Sequence, residues 1–207
     1  MHLIRILLER SAIISDQVSH KELEIILKNL KHIIDGGVDG DIVEMGCYSG
    51  TTSLFISRLL QELESKKYFH VYDSFAGLPE KTSKDASPAG EQFQAGELIA
   101  TKSQFLQNYK KANLKPPVVH KGWFEDLKPA DLPDQICFAF LDGDYYSSIH
   151  SCLKLVWPKL SPKAVVIVDD YQNEALPGAR RAVDDWLATH PGYKLTSSQS
   201  LAIITKH

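Results

Sequence analysis

Apolar residues follow two different patterns along the chain. Short runs in which nearly every residue is apolar, typical of strands buried on both faces, cover residues 42–45, 68–72, 118–120, 136–141 and 164–168. Segments with apolar residues three or four positions apart, typical of helices, cover residues 51–64, 97–111, 146–160 and 178–189. This alternation predicts a mostly parallel sheet covered by helices on both faces, which is a doubly wound α/β fold.

The two ends of the chain depart from this alternation. Helical patterns over residues 4–14 and 21–34 predict an N-terminal helical cap over residues 1–36. Near the other end, strand-like runs at 193–196 and 201–205 are separated by 4 residues. Because this connection is too short for a crossover helix, we expect the two strands to pair antiparallel as a C-terminal hairpin. With the hairpin, the sheet has seven strands.

Residues 79–96 form a long connection rich in serine, alanine, glycine and charged residues. A connection of this length and polarity is typical of either a lid over a site or a disordered insertion. Neither an internal repeat nor a shift in composition divides the chain. Its 207 residues fit one domain, so we expect a single domain over residues 1–207.

Composition and charge exclude several classes of protein. The formal net charge of −3 leaves no basic excess to neutralise phosphates, so we expect small-molecule partners and no nucleic acid. No apolar run approaches the roughly 20 residues of a membrane-spanning helix, and charged residues interrupt the N-terminal segment, unlike in a signal peptide. We therefore expect a cytoplasmic protein with no membrane partner. The 3 cysteines lack Cys-x-x-Cys spacing, which predicts neither disulfides nor a zinc site.

Ligands of open α/β sheets bind beyond the carboxyl ends of the strands. After the first strand, Gly46 and Gly50 allow a ligand to approach the backbone before a helix begins. This loop is neither a Walker loop nor a complete dinucleotide fingerprint, and an ordinary strand-to-helix turn would look the same. Asp73 ends the second strand, where nucleotide-binding folds place an acid on ribose hydroxyls, although it could also cap a turn. Together these features favour a ligand that contains adenosine.

The segment after the third strand offers a possible cover for that ligand. Gly122 permits a close approach, and the aromatic ring of Trp123 or Phe124 could lie over a flat adenine. Packing of both rings in the core is the alternative interpretation.

Acidic residues follow the fourth and fifth strands, which are entirely apolar. Asp142 and Asp144 follow the fourth strand, and Asp169 and Asp170 follow the fifth. Neighbouring strands lie about 4.8 Å apart. Carboxylates this close raise one another's pKa unless a cation lies between them. Oxygen ligands without cysteine select a hard ion such as Mg2+, although the acids could also serve as caps or hydrogen-bond acceptors. Joint ligation by Asp169 and Asp170 requires a turn, because neighbouring residues of an extended strand face opposite sides.

The chain resembles the macrocin O-methyltransferase (TylF-type) family in motifs spread over residues 41–186. The matching motifs lie, in order, at residues 44–46, 73–79, 121–124, 141–146, 157–162, 168–171 and 177–180. The family comprises Mg2+-dependent class I methyltransferases with a Rossmann-like fold, which use S-adenosylmethionine to methylate sugar hydroxyls in antibiotic biosynthesis. The resemblance therefore implies an O-methyltransferase that acts on a hydroxylated small molecule, such as a sugar or another diol.

The resemblance also implies roles for individual residues. Asp142, Asp169 and Asp170 correspond to the metal ligands, and Asp144 to a residue proposed as the general base in part of the family. The residues that correspond to the cofactor site are Glu44, Gly46, Cys47, Tyr48, Asp73, Ser74, Phe75, Gly122 and Trp123.

An alcohol is a poor nucleophile at neutral pH, and a metal ion promotes loss of its proton. We expect Asp144 to accept that proton, with His150 in the following helix as the alternative base. Two other function classes stay open. One is a non-catalytic or metal-independent protein that binds S-adenosylmethionine, and the other is a nicotinamide-dependent oxidoreductase, for which the chain lacks a Tyr-x-x-x-Lys pair.

The predicted N-terminal helices carry apolar stripes. The residues concerned are Ile4, Leu7, Leu8, Ile26, Leu27 and Leu30. They are typical either of a homo-oligomer interface or of packing in the core of one chain.

Overall fold

The computed structural model describes residues 2–89 and 92–206. Its strands are β1 Asp41–Met45, β2 Phe69–Asp73, β3 Val118–Lys121, β4 Ile136–Leu141, β5 Leu160–Val168, β6 Tyr193–Ser198 and β7 Leu201–Lys206. They form one sheet in the order β3-β2-β1-β4-β5-β7-β6. β1 to β5 pair in parallel, and β7 pairs antiparallel with both β5 and β6. The predicted doubly wound fold with a C-terminal hairpin is confirmed.

The second strand of the hairpin is the inner one. Leu201, Ala202 and Ile204 of β7 are buried, whereas Lys194 and Thr196 of β6 are exposed. The more apolar strand therefore lies beside β5, and β6 forms the edge of the sheet.

Six α-helices flank the sheet in the described part of the chain. They are α1 His2–Arg10, α2 His20–Asp35, α3 Thr51–Glu62, α4 Lys102–Lys111, α5 Tyr146–Val156 and α6 Pro177–Thr189. α1 ends four residues before its predicted end at 14, and α4 begins five residues after its predicted start at 97. The later start of α4 has a local cause, because Thr101 and Gln104 form a capping box. None of the described helices has both the length and the apolar character to cross a membrane.

The N-terminal helices pack against α3 on one face of the sheet. Most residues of their apolar stripes are buried in a single core cluster with side chains of α3 and β4, and Leu8 packs against it. Packing within one chain therefore accounts for the stripes, and a homo-oligomer stays a prediction.

Candidate active site

A cavity of about 370 Å3 lies beyond the carboxyl ends of β1, β2, β4 and β5. Most of the residues predicted from the sequence to form the site line it. They are Gly46, Cys47, Tyr48, Asp73, Ser74, Gly122, Trp123, Asp142, Asp144, Asp169 and Asp170. Glu44, Phe75 and His150 are not among the lining residues. The fold therefore brings the predicted glycine loop and the predicted acids to one cavity.

Gly46 lies where two strand ends come into contact. The N–H group of Asp142 donates to the carbonyl oxygen of Met45 at 2.8 Å, so the segment after β4 continues along β1. A Cβ atom on Gly46 would lie 1.8 Å from the carbonyl oxygen of Asp142, and the φ of Gly46 is +93°. Only glycine fits this position, because both the space and the backbone conformation exclude a side chain.

Asp73 fixes the loop that follows β1. Its Oδ2 accepts hydrogen bonds from the N–H groups of Cys47 at 2.8 Å and Tyr48 at 3.2 Å. Its Oδ1 accepts one from the N–H group of Phe75 at 2.6 Å. The capping role that the sequence left open is therefore present in the structure. Asp73 also lines the cavity, so it remains available to a ligand.

Glu44 and Phe75 support this side of the cavity from behind. The carboxyl group of Glu44 is buried and accepts a hydrogen bond from the Ser53 hydroxyl of α3. Burial, with a smaller contribution from the charge of Asp73, raises the pKa of Glu44 to about 8, so this group is protonated at neutral pH. Phe75 is buried edge-on against Phe105 of α4, with ring centroids 6.0 Å apart.

The acidic residues converge on the other side of the cavity. Carboxylate oxygens of Asp142, Asp144 and Asp170 lie within 4.8 Å of one another. Asp144 and Asp170 have left-handed φ angles of 59° and 57°, so the chain turns after β5 as joint ligation requires. Burial and the neighbouring carboxylates raise the pKa of Asp142 and of Asp144 well above the usual range. The same causes raise the pKa of Asp169 to about 8, and burial raises that of Asp170 to about 6.

Asp169 is arranged differently from the other three acids. Its Oδ1 accepts hydrogen bonds from the N–H group of Asp170 at 2.8 Å and from the hydroxyl of Ser200 at 2.7 Å. It lines the cavity but is not part of the closest group of three. The structure thus brings Asp144 into the cluster beside Asp142 and Asp170, which the resemblance had assigned as ligands together with Asp169.

The cluster has no basic counter-charge within the described residues. Of the described residues that line the cavity, none is lysine, arginine or histidine. No ion pair between described side chains includes Asp142, Asp144, Asp169 or Asp170. Crowded carboxylates that have no basic side chain beside them are stabilised either by protonation or by a bound metal ion. The donor set, which consists of oxygen alone, fits a hard cation such as Mg2+.

The segment at 79–96 is attached to the acidic side of the cavity. It contains a short 3-10 turn, Ser83–Asp85, in which Asp85 is buried. Oδ1 of Asp85 accepts a hydrogen bond from the N–H group of Tyr146 at 2.7 Å and so caps α5. A Cβ atom on Gly178 would lie 1.9 Å from Oδ1 of Asp85, which explains a glycine at the start of α6. This part of the segment is an ordered layer on α5 and α6, while Gly90 and Glu91 lie outside the described residues.

Several lining residues had no signal in the sequence. Asp16 and Gln17 come from the link between α1 and α2, and Asn173 and Leu176 come from the segment after β5. Their positions depend on how the N-terminal helices and the β5–α6 connection fold back over the sheet, which no local pattern shows. The alternative base His150 lies on α5 against Tyr146 and Trp186, with ring centroids 5.8 and 5.5 Å away.

Comparison with known proteins gives a consistent result. The model of a family described as macrocin O-methyltransferase (TylF) matches residues 14–194. The 8-demethyl-8-(2,3-dimethoxy-alpha-L-rhamnosyl)-tetracenomycin-C 4'-O-methyltransferase of Streptomyces olivaceus is 31% identical over 82% of this chain and 66% of its own length. The mycinamicin III 3''-O-methyltransferase of Micromonospora griseorubida is 29% identical over 79% of this chain and 68% of its own length.

A solved structure extends the similarity to the fold. The O-methyltransferase NovP superposes with a TM-score of 0.80 at 26% identity, over 91% of this chain and 81% of that one. The matches span about two thirds of the length of the two curated relatives, 66% and 68%.

Proposed function

The chain belongs to the macrocin O-methyltransferase (TylF) family of S-adenosylmethionine-dependent O-methyltransferases, and we propose that it methylates a sugar hydroxyl with the help of Mg2+. The observation that carries this proposal is the convergence of two different sites on one cavity of about 370 Å3. A glycine loop with an acid at the next strand end suits the cofactor, and a crowded group of aspartates suits a cation. Membership of this family argues against the alternative of a nicotinamide-dependent oxidoreductase.

The cofactor belongs on the side of the cavity formed after β1, β2 and β3. Asp73 would accept hydrogen bonds from the ribose hydroxyls while it continues to hold the loop after β1. The loop at Gly46 lets the backbone approach the ligand, and Gly122 does the same after β3. Trp123, which lines the cavity, would cover one face of the adenine.

The cation belongs among Asp142, Asp169 and Asp170, with Asp144 beside them. When bound, S-adenosylmethionine supplies an electrophilic methyl group, and Mg2+ lowers the pKa of a hydroxyl group that it ligates. Asp142 and Asp170 would hold the cation, and the carboxylate of Asp169 would add an oxygen from the same turn. Asp144 would then accept the proton of the acceptor hydroxyl, because its carboxylate lies within 4.8 Å of those of Asp142 and Asp170.

The acceptor is expected to be an uncharged or positively charged sugar derivative. Among the described residues, the lining of the cavity includes Asp16, Asp73 and Glu125 besides the cluster, but no lysine, arginine or histidine. A phosphate on the acceptor would find no basic side chain to pair with among the described lining residues. A more open cavity of about 470 Å3 shares Leu78, Pro79, Trp123 and Glu125 with the first and offers room for the rest of the acceptor.

A calorimetric titration tests the proposal. Purified protein is titrated with S-adenosylhomocysteine and then with Mg2+, and the titrations are repeated with Asp170→Asn and with Asp126→Asn as the control. Asp126 is exposed and lies outside the cavity, so this variant should bind both ligands like the wild type. Asp170→Asn should bind the cofactor product normally. Its affinity for Mg2+ should be at least 10-fold lower than that of the wild type, as expected when a ligand or its orienting partner is removed.

Turnover is measured next, as release of S-adenosylhomocysteine with a panel of methyl glycosides and catechol as acceptors. Binding of the cofactor product without any effect of Mg2+ would favour a metal-independent transferase. Binding without turnover on any acceptor would favour a non-catalytic binding protein. Absence of cofactor binding would contradict the proposed function as a whole.

A further inference from the structure

The turn of the C-terminal hairpin reaches the acidic side of the cavity. β7 pairs antiparallel with β5, with Ala202 opposite Val168, so the register carries Ser200 to the segment that follows β5. The N–H group of Gln172 donates to the carbonyl oxygen of Ser200 at 3.1 Å. This bond fixes the turn against the residues that follow the two aspartates.

The side chain of Ser200 contacts two carboxylates. Its hydroxyl oxygen lies 2.7 Å from Oδ1 of Asp169 and 2.7 Å from Oε1 of Glu22. Oδ1 of Asp169 also accepts the N–H group of Asp170 at 2.8 Å. No hydrogen bond from a described residue reaches Oδ2 of Asp169, and the residue lines the cavity. Oδ1 is therefore engaged by protein, and Oδ2 is the oxygen left for a ligand.

We propose that Ser200 is a positioning residue of the metal site, whose hydroxyl holds Oδ1 of Asp169 so that Oδ2 is presented to the cation. The inference rests on the proposed Mg2+ dependence. Ser200 lies beyond residues 14–194, so the family match does not assign it a role. Outer partners that orient ligating carboxylates commonly contribute 10- to 100-fold in metal affinity.

Glu22 competes for the same hydrogen. A serine hydroxyl donates one hydrogen bond at a time, so Ser200 serves either Glu22 or Asp169 as donor. Glu22 is independently held at the start of α2, where its Oε2 accepts the N–H group of Ser19 at 2.8 Å. In Glu22→Gln the new amide can donate to the Ser200 oxygen, which leaves the serine hydrogen for Asp169. We therefore expect Glu22→Gln to keep its affinity for Mg2+, in contrast to Ser200→Ala.

The test measures Mg2+ binding by calorimetry on protein saturated with S-adenosylhomocysteine. Ser200→Ala should bind Mg2+ about 10-fold more weakly than the wild type. Ser200→Thr, which keeps a hydroxyl group, should restore the affinity. Ser198→Ala is the matched control, because Ser198 ends β6 at the same turn and its side chain makes no hydrogen bond with a described residue. The dissociation constant of S-adenosylhomocysteine should stay within about twofold in all variants, since Ser200 lies outside the lining of the cavity.

Four results would overturn the inference. Equal Mg2+ affinity in Ser200→Ala and the wild type would show that the hydroxyl does not position Asp169. A parallel loss of cofactor affinity and thermal stability in Ser200→Ala would assign it a purely structural role. A wild type that binds S-adenosylhomocysteine but no Mg2+ would remove the metal site while leaving the transferase proposal intact, whereas failure to bind S-adenosylhomocysteine would remove that proposal too.

Discussion

The two halves of the cavity provide different partners for their carboxyl groups. The glycine-rich half is formed after β1 and β2, and the acidic half is formed after β4 and β5. Asp73 accepts three backbone hydrogen bonds, and Glu44 is buried as a neutral acid with a hydroxyl partner. Among the described residues, the carboxyl groups of Asp142 and Asp144 have no such partners, and they lie close to that of Asp170. Hydrogen bonds within the protein therefore account for the carboxyl groups of the first half, whereas the crowded carboxyl groups of the second half are the ones for which we propose a cation.

The largest effect is expected where backbone fit joins the halves. In Gly46→Ala the new Cβ would lie 1.8 Å from a backbone oxygen at a φ of +93°, so we expect a loss of about 4 kcal/mol or more in the free energy of unfolding. Gly192 has the same φ of +93° with nothing within 4 Å, so Gly192→Ala should lose only about 1 kcal/mol. Urea unfolding measures both. Equal losses would show that close approach is not what requires Gly46.

A pH series tests whether the buried acid of the glycine-rich half is neutral. Because the pKa of Glu44 is raised to about 8 in the folded protein, the folded state binds more protons than the unfolded state above pH 4.5. The stability contributed by this group is therefore present at low pH and is lost as the pH rises towards 8. In Glu44→Gln, the decline in the free energy of unfolding between pH 5 and 8 should be about 3 kcal/mol smaller than in the wild type. Unfolding curves recorded across this pH range measure the difference.

Ser57→Ala is the control for this series. Ser57 lies on α3 like Ser53, the hydrogen-bond partner of Glu44, but its hydroxyl contacts Tyr109 instead. Its pH dependence should match that of the wild type. An unchanged pH dependence in Glu44→Gln would mean that Glu44 is ionised like an ordinary surface acid, and the contrast between the halves would weaken.

The acidic half is tested by separating rate from affinity. Asp144→Asn should lower kcat by about 100-fold or more, as expected for a general base, with an acceptor that supports turnover in the wild type. Its affinities for S-adenosylhomocysteine and Mg2+ should stay near the wild-type values. If Mg2+ affinity falls as much as in Asp170→Asn, Asp144 is a metal ligand and the base must be sought elsewhere.

The smallest effect concerns the layer that supports the acidic half. Asp85→Ala removes the cap of α5 and leaves the N–H group of Tyr146 without its partner at 2.7 Å, which should cost about 2 kcal/mol in the free energy of unfolding. Ser83→Ala, in the exposed part of the same turn, should change it by less than about 0.5 kcal/mol. Thermal or urea unfolding distinguishes the two. Equal stability of both variants would show that the segment at 79–96 does not support α5.

Much of the fold and of the site was predictable from local patterns. Apolar runs located the parallel strands, most clearly β1, β4 and the second half of β5, which are buried on both faces and leave no polar face to confuse the signal, whereas β3 at the edge of the sheet is only partly buried. The acids after β4 and β5 were predictable for the same reason, since a carboxylate directly after a buried strand falls at the sheet edge where ligands bind. The order of the hairpin, with β7 inside, was not among the predictions, although the burial of Leu201 and Ile204 shows its cause.

Contacts between distant segments were not predictable. Asp85 lies 61 positions from the N–H group that it caps, and nothing in the pattern around it distinguishes it from other loop acids. Gln17 and Ser200 likewise approach the site only because whole helices and strands pack in a particular way. The backbone partners of Asp73 also had no sequence signal, because main-chain groups are the same at every position.

The position of β7 has a consequence for how the protein is made. Ser200 and Glu22, 178 positions apart, meet beside Asp169, and β7 lies between β5 and the edge strand. During synthesis the glycine-rich half can assemble from the first part of the chain, but β5 has no partner on its outer side until β7 leaves the ribosome. The acidic residues therefore gain their final arrangement only after β7 has been synthesised, and a nascent chain can form the loop at Gly46 before the proposed metal site is complete.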